Sequence, residues 1–427
     1  MIKLFLAVYL FGVLFSSSVS AEQAENELLQ PEETQASEDN SIGLLSQDIQ
    51  AQLDQINVLL ETEDAFSSKL SESYFSYGRL LQEAGDYKQA REAYTSAMHI
   101  EKINHGIYSI EQRPLLKAIF DVDFAQRDEE KINNHVQRMM WLEDKNNKYD
   151  DDLGFKMLVK AGIFNLEKYY QSKRASETNL AVLRSAKTFF LNAIERYKDQ
   201  PLEKLNHPFD ELALSLFFER LVANKLGQTI LGRDTRSAYN RTVSPLDERS
   251  GFSRDRKQIQ YQVIEQNYPR ILSKYLNKYI EKAKQEENSI GIAKAFILNG
   301  DYFLFAGDIN QAHQMYEEAW QELQNISEPN LTEGLLSKPV QLPAVDFLSQ
   351  GVRNTSRYPS IKLPVSININ SSGLVEQIDQ TGENTEEIYT KRIKNALYKT
   401  QFRPIVSNGK VTGVQNFEYE VTVRKKQ

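Results

Sequence analysis

Along most of this chain apolar residues return every three to four positions, and only near its end do they alternate with polar ones. Leu53, Ile56, Leu59 and Leu60 open the first regime on one helical face, and helical spacing continues to about residue 326. After Glu328 the rhythm is broken by Pro329, Pro339, Pro343, Pro359 and Pro364. Leu363, Val365, Ile367 and Ile369 then alternate with Ser366, Asn368 and Asn370, and Ser371-Ser372-Gly373 turns the chain into a second strand over 374–378. Asn384 with Glu387 marks the start of a helix whose Tyr389, Ile393, Ala396, Leu397 and Thr400 share a face, and Phe402-Arg403-Pro404 ends it. Beyond Asn408-Gly409, Phe417, Tyr419, Val421 and Val423 alternate with Glu418, Glu420, Thr422 and Arg424 in a last strand. The expected fold is mostly α: a helical-hairpin array over 48–328, a proline-containing linker over 329–352, and a small α+β domain over 353–427.

The helical part repeats itself. Ala84-Gly85-Asp86 with Gln89, Ala90, Tyr94 and Ala97 returns as Ala306-Gly307-Asp308 with Gln311, Ala312, Tyr316 and Ala319. Gly85 and Gly307 suit the left-handed close of one helix, and the aspartate after each caps the next. Ala90 and Ala97, like Ala312 and Ala319, let a paired helix approach while Tyr94 or Tyr316 fills the gap. Tyr74, Gly78 and Leu81 stand on the first helix of one copy as Phe296, Gly300 and Phe303 do on the other. Weaker copies lie between, at Ala125 to Asp128 with Ile132, Val136 and Met139, and at Ala186, Phe190 and Ala193. This pattern resembles the tetratricopeptide repeat, in a degenerate form, since Lys102 and Gln324 occupy the place of the proline that commonly closes the unit. The resemblance implies a stack of helical hairpins with a groove for a partner.

The end of the chain carries a second resemblance. Arg357-Tyr358-Pro359, the strand ending in Ser372-Gly373 with Val375, Lys394-Asn395-Ala396-Leu397 before Phe402-Arg403-Pro404, and Asn408-Gly409 occur in the order found in the C-terminal domain of TonB, the periplasmic energy transducer. The resemblance covers roughly the last seventy residues. It implies that an edge strand over 415–424, with Tyr419, Val421 and Val423, receives a partner segment by strand addition. Those side chains equally suit the core of their own sheet. The uncleaved membrane helix and proline-rich spacer of a transducer have no counterpart here, so docking is expected in place of energy transduction.

Lys3, an apolar run from Leu4 to Phe15 and Val19-Ser20-Ala21 before Glu22 have the layout of a cleavable signal peptide over 1–21. Twelve apolar residues fall short of the roughly 20 that span a bilayer. Export to a bacterial periplasm, without membrane insertion of the mature chain, fits the absence of cysteine. From Glu22 to Ser68 there are twelve acidic residues and no lysine or arginine, so this stretch outweighs the whole formal charge of -8. Residues 22–47 are expected to form an acidic, disordered leader. No concentrated basic stripe points to nucleic acid.

Gly232 to Gln258 interrupts the array with seven cations, Pro245 and Gly251, and reads as a long loop. Arg233, Arg236, Arg254 and Arg256 suggest an anion contact, against the plainer reading that they pair with Asp234, Asp247, Glu248 and Asp255. His99, His105, His135, His207 and His313 lack metal-site spacing, and no nucleophile elbow, phosphate loop or dinucleotide fingerprint appears. Asp150-Asp151-Asp152 lacks the alternation of a calcium loop. The expectation is therefore a non-enzymatic scaffold without cofactor or metal, binding envelope proteins such as components of a TonB-type system. The alternative is an envelope ligand-binding protein or enzyme that uses the array as a cradle.

Overall fold

The computed structural model describes residues 32–147, 152–172, 175–237, 271–326, 335–342, 360–380 and 387–424. The chain is mostly helical, with its helices in an array and a small sheet region at the C-terminal end. It divides into two compact units, residues 1–127 and 128–427.

In the first unit, α1 (Glu32–Thr62) is followed by α2 (Ser68–Glu83), α3 (Tyr87–His105), a short 3-10 turn (Ile110–Gln112) and α4 (Arg113–Ala125). Helix α1 already starts within the stretch read as the leader, which has no proline after Pro31 and a single glycine, Gly43. Between α2 and α3 the backbone closes as a helix stop and restart. Asp86 N–H donates to the Leu81 carbonyl at 2.9 Å, Gly85 sits at φ +80°, and the Asp86 carboxylate accepts from Gln89 N–H at 3.1 Å. Ala90, Tyr94 and Ala97 are buried, and a Cβ added to Gly78 would lie 2.6 Å from the Tyr94 ring. Glycine at that position is what lets the two helices close on an aromatic. Ile56 of α1, Leu70 of α2 and Ile100 of α3 form a small cluster at one end of this bundle.

The second unit continues with α5 (Glu129–Asn146), α6 (Asp152–Ser172), α7 (Glu177–Arg196), α8 (Leu202–Ser237), α9 (residues 271–285), α10 (Ser289–Ala306) and α11 (Ile309–Gln324). Asp128, Ser176, Asn288 and Asp308 each cap the helix that follows, accepting a backbone N–H three residues on. The weaker copy at Ala186, Phe190 and Ala193 is packed in the same manner as the clear ones: all three are buried, and Gly162 of α6 lies beneath the Phe190 ring, where a Cβ would come within 2.5 Å. In the α10/α11 hairpin, Ala312, Tyr316 and Ala319 are buried, Gly300 lies under Tyr316, and Gly307 sits at φ +84°.

Helix α8 corrects one expectation. It runs through Ser237, so Gly232, Arg233 and Arg236 belong to a helix and not to a loop. The punctuating residues, Pro245 and Gly251, come only later, and Arg254 and Arg256 lie outside the described residues.

The C-terminal region contains β1 (Val340–Gln341), β2 (Ser360–Ile369), β3 (Val375–Gln380), α12 (Glu387–Leu397), β4 (Phe402–Arg403), β5 (Ile405–Ser407), β6 (Lys410–Thr412) and β7 (Val414–Arg424). Strand β2 is central, antiparallel to β3 on one side and to β7 on the other. Val365, Ile367, Ile369, Val375, Ile378, Ile393, Leu397, Phe402 and Val421 fill the space between this sheet and α12. Gly373, at φ +74°, follows β2 in a place where a Cβ would run into the Phe402 carbonyl oxygen. Asn408 and Gly409, both at positive φ, turn β5 into β6 as a tight hairpin.

Candidate functional site

Strand β7 lies at the edge of the three-stranded sheet, and among the described residues it pairs only with β2. From Phe417 to Arg424 the pairing is regular, running from Ile367↔Phe417 to Ser360↔Arg424. Such a strand has one row of backbone donors and acceptors turned away from its own sheet. Its side chains are divided between two faces. Val421 is buried in the core and Phe417 and Tyr419 pack against it, while Glu418 and Glu420 are exposed on the other face. The Tyr419 ring meets Phe402 edge-on at 5.4 Å, and its hydroxyl is hydrogen-bonded to Gln341 Oε1. The side chains of Tyr419 and Val421 thus serve the sheet's own core. Among the described residues no second strand lies beside β7, and its Glu418 is exposed. Val423 stands opposite Ile361 in the register.

The sheet region is fixed to the last helical hairpin by a buried polar knot. Arg403 of β4 presents Nε to Asp301 Oδ1 at 2.7 Å and Nη2 to Asp301 Oδ2 at 2.5 Å, a two-pronged pair in which both partners are largely buried. Nη1 donates to the Leu335 carbonyl at 3.2 Å, and Tyr316 Oη donates to Asp301 Oδ1 at 2.8 Å. Burial raises the Tyr316 hydroxyl well above its ordinary range, and the Asp301 carboxylate adds to it. For Arg403, burial is the largest influence and opposes the charge, but Asp301 and Tyr316 together outweigh it and raise the guanidinium above its ordinary range. The β5–β6 hairpin and the 335–342 segment cover the same helices. Leu336, Leu342 and Val406 are buried with Ala312, Tyr316 and Ala319, Trp320 packs beside them, and Val406 N–H donates to the Leu336 carbonyl at 2.9 Å. The described part of the stretch read as a linker is therefore part of a core. Sequence reasoning noted Arg403 within a motif but gave Asp301 no role; nothing adjacent to Asp301 in the sequence indicates a cation 102 residues away.

A second group of carboxylates stands near the start of α8. Burial pushes Glu211 up to about 7, helped by the neighbouring Asp210, and His207 lies 3.8 Å from it through Nδ1. Asp210 is itself exposed to solvent and lies in the field of Lys294 and Arg403. Close by, Phe209 stacks on Tyr279 at 4.6 Å and 7°, and the Tyr279 hydroxyl donates to Asn206 Oδ1 at 2.6 Å. Adjacent residues on a helix diverge by about 100°, so Asp210 and Glu211 do not form a facing acid–base pair.

The histidines are dispersed among local partners. His99 meets the Phe66 ring, His105 pairs with Glu101 at 2.9 Å, and His313 Nε2 lies 2.8 Å from the Ser371 carbonyl. Among the described residues no three acidic or imidazole side chains gather as a metal site, and no helix is long and apolar enough to cross a membrane. The signal-like segment and the first two residues of Asp150-Asp151-Asp152 lie outside the described residues. No protein-family model matches the chain, and no curated protein matches it in sequence.

Proposed function

We propose that this chain is an exported scaffold that holds two partners. One lies along a groove of degenerate tetratricopeptide-like hairpins, and the other docks on the TonB-like sheet region by adding a strand to β7. The observation that carries this reading is the edge itself: eight residues of regular strand, paired on one side and anchored through Phe417, Tyr419 and Val421 to a packed core. A rigidly held edge loses little conformational freedom when a partner strand joins it. The Arg403–Asp301 pair ties the edge to the last hairpin, so a partner on the sheet and one in the array are held at a fixed separation within that unit. The signal-like N-terminus supports a periplasmic setting, and the resemblance supports a role in envelope transport or assembly, without chemistry of its own.

Truncation before residue 353 is a poor test, since it strips Arg403 from the buried Asp301. A photo-crosslinking residue at Glu418, on the β7 edge, is the better probe, with one at Gln377 on β3 as control. Specific protein adducts at Glu418 and none at Gln377 are expected in cell envelopes. Equal labelling at both positions, or none at Glu418, would sink the docking assignment.

A further inference from the structure

Six of the eight large apolar side chains exposed among the described residues fall between Val58 and Tyr108, in the first unit. They gather at one end of its bundle. Ile56, Leu70 and Ile100 meet there in a small core, and Val58, Leu60, Phe66 and Ile103 lie two to four residues from a member of it. Asn104 Nδ2 donates to the Phe66 carbonyl at 2.7 Å and the Phe66 ring meets His99 at 6.2 Å, which brings the α1–α2 loop onto the last turns of α3. Val58 is 57% exposed, Leu60 49%, Phe66 42% and Ile103 47%; Ile107 and Tyr108 extend the same end. Scattered apolar residues on a surface are ordinary, but a concentration of them at one end of a bundle marks a contact.

The charge beside this end says what it contacts. Over residues 45–62 of helix α1 there is no lysine or arginine, and the three carboxylates there, Asp48, Asp54 and Glu61, are exposed. Glu63, Asp64 and Glu101 follow near the apolar end, against Lys69, which pairs with Glu63 at 2.6 Å, and Lys102. We infer that the α1–α3 end is a docking surface for a cationic amphipathic segment of a partner protein, whose apolar side covers Phe66, Ile103 and Leu60 while its Lys or Arg residues meet the carboxylates at the end of α1; Val58, two residues from Leu60, points to the opposite side of the helix. The mode is that of an amphipathic helix laid on an apolar surface with an oppositely charged border. An anionic bilayer is the wrong occupant, because the carboxylates of α1 would be repelled by it. The surface belongs to the first unit and β7 to the second, and the inference does not rest on the β7 assignment.

The test titrates the full chain, from residue 22 on, into a labelled 14-residue amphipathic peptide of leucine and lysine, followed by anisotropy. A leucine–glutamate peptide of the same pattern is the control. Binding of the lysine peptide that weakens with salt, and a loss of about tenfold or more in the Phe66→Ser/Ile103→Ser double variant, are expected. Leu60→Ser, whose side chain is half in water, should give a smaller loss in the same direction without disturbing the fold. Equal binding of the two peptides, or undiminished binding by both serine variants, overturns the inference. So does a wild-type dimer that the serine variants dissolve, which would make a second copy the occupant, or binding to phosphatidylglycerol vesicles that the same substitutions abolish.

Discussion

The hairpins α2/α3 and α10/α11 are built on one plan and put to different uses. In both, a glycine lies under a tyrosine ring, with an added Cβ reaching 2.6 Å from Tyr94 or 2.5 Å from Tyr316. In both, a glycine at φ near +80° and a capping aspartate join the helices. They part at the residue after the buried glycine. It is Arg79 in the first, exposed to water, and Asp301 in the second, buried. The tyrosine hydroxyls follow suit: Tyr94 donates to the neutral Gln82 Oε1 at 2.9 Å, whereas Tyr316 donates to Asp301, which also takes Arg403. The repeat spacing thus secures helix contact, and one side chain beside it makes the second hairpin a platform for the β-region.

Removing that side chain should produce the largest contrast. Asp301→Ala leaves Arg403 buried without its partner and is expected to cost about 3–5 kcal/mol. Arg79→Ala at the matching exposed place should stay within about 0.5 kcal/mol, both read by urea unfolding. Asp301→Ala combined with Arg403→Met should recover much of the loss; strict additivity would show that the two groups do not interact. Next in size, Gly78→Ala and Gly300→Ala should each cost about 1–3 kcal/mol through overpacking, partly offset by the helix preference of alanine. Gly300→Ala should cost more, since the Tyr316 hydroxyl is held by the buried Asp301–Arg403 pair whereas that of Tyr94 is held by one side-chain amide; equal losses would remove that distinction. Gly409→Ala, in a turn the first hairpin does not have, should cost about 1 kcal/mol for a side chain at positive φ, visible as a lowered melting temperature.

The smallest expected effect concerns pH. Glu211 has a folded pKa raised above its ordinary 4.5, to about 7. The folded state then binds more protons than the unfolded one between these limits, so its contribution to stability is present at low pH and is lost as pH rises through the folded value. Melting curves from pH 7.5 to 5.5 should shift upward by a small amount, and Glu211→Gln should flatten the shift. An unchanged slope in that variant would mean other groups set it.

What the sequence disclosed was governed by distance along the chain. Gly78 and Tyr94 are joined by a single turn, so their meeting is implied by helical spacing alone, and Asn408-Gly409 states its own turn chemistry. Alternation through Val365, Ile367 and Ile369 reads directly as the buried face of β2. Leu336 and Leu342 were hidden, because prolines on either side describe a linker while their burial depends on helices that end before residue 326. The reach of α8 to Ser237 was missed because a run of cations resembles a loop, although arginine is a good helix former. The apolar end of the first unit was equally illegible: Phe66 and Ile103 acquire meaning only when α3 folds back on α2.

The pair between residues 301 and 403 also sets a schedule for the molecule's assembly. A nascent chain emerging N-terminus first can pack α2 on α3 as soon as both are made, but Asp301 must wait 102 residues for its guanidinium. During that interval the last hairpin presents an uncompensated carboxylate, and Leu304, Tyr316 and Ala319 lack the Leu336, Leu342 and Val406 that later cover them. Pulse-labelled chains released before residue 403 should therefore be cut by protease around α10 and α11 while α2 and α3 resist.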